Sequence, residues 1–134
     1  VLFLYSLTKR FTLFCHIVLG FALALAPLGA WIAITESISL IPISFSLGLL
    51  FHIAAFDVLY AIQDMDFDRK EDLHSIPAKL GETPSRLVAM GMHIISILVF
   101  GFAGYVSDLG MLYFLLLGLI ALLIFYEHKL SWAH

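Results

Sequence analysis

Charge is scarce in this sequence. Its 134 residues include 7 Lys and Arg and 10 Asp and Glu, so 13% are charged, about half the roughly 25% of an average soluble domain. The net charge of −3 offers no general attraction to polyanions, which excludes a nucleic-acid binder. A single cysteine, Cys15, cannot close an internal disulfide and carries no information on redox compartment. No secretory signal is visible: residues 1–4 are apolar but too short for an h-region, and they lack a basic flank and a cleavage site. The chain opens on Val1 rather than Met, and the expectation is an internal piece of a longer protein. It has no obvious internal repeat or low-complexity segment.

Apolar residues fill the space that charge leaves. They make up 62% of the chain, and mean hydropathy is +1.03, which excludes a soluble globular domain and a disordered tail. A membrane helix needs about 20 apolar residues to cross roughly 30 Å of hydrocarbon. Residues 11–34 and 38–56 carry no formal charge, 87–106 hold one histidine, His93, and no Lys, Arg, Asp or Glu, and 110–126 are rich in Leu. None of the four shows the polar face that a soluble helix needs at 3.6-residue spacing. Lipid offers the backbone no hydrogen-bond partners, so the spans must be helical. The expected fold is all-α, a multi-pass transmembrane helical bundle. Its spans cover approximately 11–34, 38–60, 86–106 and 110–126, with a loop over 61–85. Pro27 and Pro42 are expected to kink or start helices, and Gly20, Ala22, Ala24, Ala26 and Gly29 to suit close helix packing.

Lys and Arg set the orientation. Lys9 and Arg10 precede the first span, Arg69, Lys70, Lys79 and Arg86 lie between the second and third, and Lys129 follows the fourth. The two intervening links, 35–37 and 107–109, have none. The alternation places loop 61–85 in the cytoplasm of a multi-pass integral membrane protein, with a bacterial inner membrane as the expected bilayer.

Six of the ten acidic residues fall within 57–72. Asp57, Tyr60, Asp64 and Asp68 are spaced by three, four and four, which puts them on one face if the helix continues. Asp64 and Asp68 would then be like charges one turn apart, near a helix C-terminus whose dipole disfavours them. A divalent cation is the natural neutraliser. Mg²⁺ favours one or two carboxylates plus phosphate oxygens of a substrate. Asp66, Glu71, Asp72 and Glu82 read as solvated surface charge. Tyr60 also suits an interfacial anchor, and His16 suits packing or an interhelical hydrogen bond. His52 and His93 lie within spans with nothing pairing them at ligand spacing. His74, His128 and His134 are expected to be exposed.

Asp57-x-x-Tyr60-Ala61-x-x-Asp64-x-x-x-Asp68, followed by Ser75-Ile-Pro77-Ala-Lys79-Leu-Gly81, resembles the second aspartate-rich motif of the UbiA-type intramembrane aromatic prenyltransferases. Upstream, Tyr5-Ser-x-Thr8-Lys9-Arg10-x-Thr12, then Gly20 and Ala26-Pro27-x-Gly29-Ala30, resembles the segment between that family's two aspartate motifs. The first aspartate motif is absent, which fits spans five to eight of a nine-span chain.

The resemblance implies transfer of a polyprenyl group from polyprenyl diphosphate to an aromatic acid acceptor, with Mg²⁺ as cofactor and the lipid bilayer as surroundings. It implies Asp64 and Asp68 as metal ligands and Lys9 as a diphosphate contact. Arg10 is either a second contact or a positive-inside anchor. Tyr5 and Tyr60 would steady an allylic cation. Asp57 would orient Tyr60 or Lys9, or accept a proton. The motif form is most similar to the 4-hydroxybenzoate branch of ubiquinone synthesis, with a naphthoate-type acceptor of menaquinone synthesis by the futalosine route as the alternative. From a different class, a transporter with an acidic ion site would place acids deep within spans, and here they gather at a cytoplasmic edge.

Overall fold

The structure, a computed structural model, describes residues 7–133. It is all-helical, with no strand among the described residues. Helix α1 spans Cys15–Thr35, α2 Leu40–Gln63, α3 Met65–Lys70, α4 Ile76–Leu80, α5 Glu82–Val106 and α6 Met111–Ala133. The four long helices, α1, α2, α5 and α6, are long and apolar enough to cross a membrane. At 1.5 Å per residue they reach roughly 30–40 Å, which matches a hydrocarbon core of roughly 30 Å.

The bounds differ from the sequence expectation in three places. Residues 9–14, ahead of Cys15, are turn and irregular, and the Thr12 hydroxyl accepts the Phe14 N–H at 3.1 Å; this local bond competes with helix. Residues 61–85 are not a plain loop: they contain the end of α2, both short helices and the start of α5. Helix α6 continues past 126 to Ala133, because Glu and Lys are good helix formers whose charge does not end a helix. That extra turn carries His128 inward. It is 5% exposed, and its Nε2 lies 2.9 Å from His93 Nδ1, which corrects the expectation of an exposed histidine.

Helix α2 is central. It packs on α1 along one side and on α5 along the other, while α6 packs on α5. Small residues set these approaches, since lipid gives no hydrophobic drive between helices and association relies on tight contact. A Cβ at Gly20 would overlap the Leu50 carbonyl oxygen, so α1 and α2 meet backbone to backbone there. Ala24, one turn on, is also buried, whereas Ala26 and Gly29 are exposed and serve no packing within the described residues. Between α2 and α5, the Ser96 hydroxyl donates to Gly48 O at 2.8 Å. Tyr113 on α6 donates to Phe100 O at 2.8 Å and stands edge-on to Phe45 on α2. The outer faces carry exposed Leu98, Leu112, Leu122 and Phe125, the surface that a bilayer covers.

Candidate active site

The acidic segment folds as a broken helix. Helix α2 ends at Gln63 with no basic residue in its last turn. Asp64 leaves helical geometry at φ −95°, ψ 4°. Helix α3 then restarts with Asp66 and Asp68 in its first turn and Arg69 and Lys70 in its last. The break reverses the electrostatics: acids that would crowd the negative end of one helix instead occupy the positive end of the next. The Asp68 N–H still donates to Asp64 O at 2.8 Å, so the two aspartates stay about one turn apart, yet their burial differs. Asp68 is 1% exposed, while Asp64 is exposed and Tyr60 is 70% exposed. Asp57, Tyr60, Asp64 and Asp68 thus differ in burial along the motif. Tyr60 is exposed near the end of α2, where an amphipathic ring suits a membrane interface.

Two buried acid–base pairs form at this end of the bundle. Lys9 Nζ donates to Asp68 at 3.2 Å (Oδ2) and 3.4 Å (Oδ1), with side-chain exposures of 22% and 2%. His16 Nδ1 lies 2.7 Å from Asp57 Oδ2, and His16 is fully buried. The Cys15 thiol lies within electrostatic range of Asp57, Lys9 and Asp68 together, so the two pairs are neighbours. The structure gives Asp57 an interhelical partner in His16; an interhelical hydrogen bond is the expectation for His16, but the sequence does not name Asp57 as its partner, pointing Asp57 to Tyr60, Lys9 or proton acceptance. A signal was available: His16 and Asp57 both fall near the basic-rich ends of their spans, hence at one depth.

The segment after α3 is strapped across these pairs. The His74 N–H donates to Lys9 O, the Cys15 thiol lies 3.6 Å from His74 O, and the Ile76 N–H donates to His16 Nε2 at 3.3 Å. The motif residues have local reasons. Ser75 caps α4 by accepting the Ala78 N–H at 3.2 Å, and Pro77 sits in the first turn, where its missing N–H costs nothing. Gly81 takes φ +86°, a conformation that side chains disfavour, and the Ser85 hydroxyl donates to its carbonyl at 2.6 Å. Arg69 Nε closes the segment by donating to Ala78 O at 2.9 Å. Arg10 is exposed and lines an open groove of about 470 Å³ with Phe67, Glu71, Asp72 and Leu73. Tyr5 lies outside the described residues. Among the described residues no cluster of three or more His, Cys, Asp or Glu has metal-holding geometry.

Membrane-length helices that gather buried carboxylates, a lysine and a histidine at one rim define a class. It is a helical membrane protein with acid–base pairs at one end of an apolar bundle. The UbiA prenyltransferase family profile matches residues 1–134, and the chain belongs to that family. The 4-hydroxybenzoate octaprenyltransferase of Providencia stuartii is 30% identical over 129 residues, 95% of this chain and 44% of that protein. The polyprenyl transferase yanG of Aspergillus niger is 30% identical over 117 residues, covering 84% and 34%. The apo structure of a UbiA homolog from Aeropyrum pernix K1 superposes with a TM-score of 0.88 at 29% identity, over 97% of this chain and half of that one. The chain thus spans less than half the length of the curated relatives it matches.

Proposed function

We propose that the protein transfers a polyprenyl group from polyprenyl diphosphate to an aromatic acid, with 4-hydroxybenzoate as the acceptor, in respiratory quinone synthesis. The observation that carries this reading is the buried Asp68 carboxylate paired with Lys9 across 59 residues of sequence. A cation and an anion held together at the mouth of an apolar bundle are ready for a metal diphosphate: the lysine takes phosphate oxygen and the carboxylate takes metal. The names of the Providencia stuartii and Haemophilus ducreyi relatives, both 4-hydroxybenzoate octaprenyltransferase, support the acceptor and a long prenyl tail.

Mg²⁺ fits the donor set. Two aspartates, one buried and one exposed, suit an ion that keeps waters and substrate phosphates in its shell and needs no closed protein cage. Asp64 and Asp68 would hold it, and it would neutralise the charge that develops on the diphosphate. Lys9 acts as a point charge toward the same phosphates, and Arg10 in the adjoining groove extends that field. The allylic C–O bond breaks, the new C–C bond forms at a ring carbon, and the proton of that carbon leaves. Asp57 is the acceptor assigned to it. The apolar helices exclude water, which would otherwise capture the cation as an alcohol. Loop 61–85 faces the cytoplasm on this reading, since the basic residues lie at that end.

The test uses the full-length protein in membranes with radiolabelled prenyl diphosphate, 4-hydroxybenzoate and Mg²⁺. Transfer is expected in the wild type and is lost in Asp64→Ala/Asp68→Ala. Retained transfer in the double variant rejects the metal assignment. Offering naphthoate-type acceptors in the same assay decides between the ubiquinone and menaquinone routes.

A further inference from the structure

His16 joins three parts of the site: its own helix α1, Asp57 on α2, and the turn that opens α4. Its two ring nitrogens have separable roles. Nε2 accepts the Ile76 N–H, so it carries no proton. A neutral ring with a bare Nε2 holds its proton on Nδ1, and the 2.7 Å contact with Asp57 Oδ2 is therefore Nδ1–H donating to carboxylate. Both nitrogens are used, and the ring has no exposed surface. A second proton would set an N–H of the ring against the N–H of Ile76.

We infer that His16 is a positioning residue, a fixed neutral linker that aims the Asp57 carboxylate and pins the Ser75–Ile76 turn over the site. It carries no proton in the reaction. This rests on the prenyl-transfer reading only in that Asp57 is the group aimed. The titratable group that touches the ring is Asp57 on α2; Cys15, its neighbour on α1, lies within electrostatic range of Asp57, Lys9 and Asp68 and reaches the His74 carbonyl in the strap.

Glutamine tests the idea. Its amide has one face that donates and one that accepts, so His16→Gln can serve both partners and cannot titrate. His16→Phe keeps bulk and serves neither. In the full-length protein, His16→Gln is expected to keep kcat within about threefold, whereas His16→Phe loses on the order of 10- to 100-fold, as for lost hydrogen bonds to a charged group. The KM for prenyl diphosphate should move less than kcat. The pH–rate profiles of wild type and His16→Gln should superimpose between about pH 5.5 and 8.

A readout independent of activity is trypsin cleavage at Lys70 and Lys79 in detergent, followed by mass spectrometry. His16→Phe should cut faster, and His16→Gln should cut as the wild type does. If His16→Gln is as impaired as His16→Phe, or loses a limb near about pH 6.5, the ring is a proton carrier and the inference is overturned. Wild-type behaviour of His16→Phe in both assays also overturns it. If His16→Phe does not accumulate, the His16→Gln profile and cleavage pattern decide alone. An inactive wild type with the predicted cleavage pattern sinks the prenyl-transfer reading and leaves the linker standing.

Discussion

Removing Lys9 should cost more stability than removing the charge of Asp68, although the two form one ion pair. The asymmetry comes from exposure. The Asp68 side chain is 2% exposed and that of Lys9 22%. Lys9→Met leaves a carboxylate in the interior with no other partner among the described residues, and an uncompensated buried charge costs about 3–5 kcal/mol. Asp68→Asn leaves an ammonium on a flexible stem that can turn its head to water. Its cost should be about 1 kcal/mol, the value of an ordinary lost hydrogen bond. The double variant contains no stranded charge and should lie close to Asp68→Asn, so the double-mutant cycle should give a coupling of about 3–5 kcal/mol, the whole cost of the stranded carboxylate. The assay is reversible SDS unfolding of the full-length protein in mixed micelles, followed by far-UV circular dichroism. Equal losses in the two single variants, or additivity within about 0.5 kcal/mol, would refute the claim that Asp68 is buried and held by Lys9 alone.

Two further outcomes are expected in the same unfolding assay. Gly20→Ala should cost about 1–3 kcal/mol, as overpacking does, because its Cβ meets the Leu50 carbonyl. Gly29→Ala, with open space around it, should stay within about 0.5 kcal/mol of wild type. His128→Phe should cost about 1–3 kcal/mol by leaving His93 Nδ1 unpaired in the interior, and adding His93→Phe should recover part of the loss, since two apolar rings replace a broken polar pair.

The spans and the family could be read from the chain, because each rests on a property that short windows carry. Membrane length and apolar content are sums over about 20 residues, and the aspartate motif is a fixed spacing. Pairings over long separations could not be read this way. Lys9 and Asp68 lie 59 residues apart, His16 and Asp57 lie 41 apart, and His93 and His128 lie 35 apart. Each pair depends on which face of a nearly all-apolar helix turns inward. In soluble helices the polar side marks the outer face, but α1 and α6 are apolar all round and carry no such mark. The small-residue run from Gly20 to Gly29 illustrates the difficulty. The residue type suited packing at each position, yet Gly20 and Ala24 alone are buried among those five, since helix geometry selects an i, i+4 pair from any run of candidates.

The break at Asp64 explains why an i, i+4 spacing of acids does not give a pair of equivalent side chains. Had α2 continued, both acids would have stood at a helix C-terminus against its dipole; the two remain about one turn apart, since the Asp68 N–H donates to Asp64 O. Restarting the helix at Met65 gives the second aspartate the favourable end of a new helix and turns it inward to Lys9, while the first stays at the surface. The two acids thereby acquire different environments: one is paired with a cation in the interior, the other is exposed. On the proposed reading Asp64 and Asp68 would together hold Mg²⁺ and Lys9 would face the diphosphate, with Asp64 open to solvent and Asp68 paired to Lys9 in the interior. On this reasoning Asp64→Asn should weaken substrate affinity with little effect on folding. Asp68→Asn should impair turnover and carry a measurable stability change as well. A variant pair with those two phenotypes exchanged would show that the inward and outward roles had been assigned to the wrong residues.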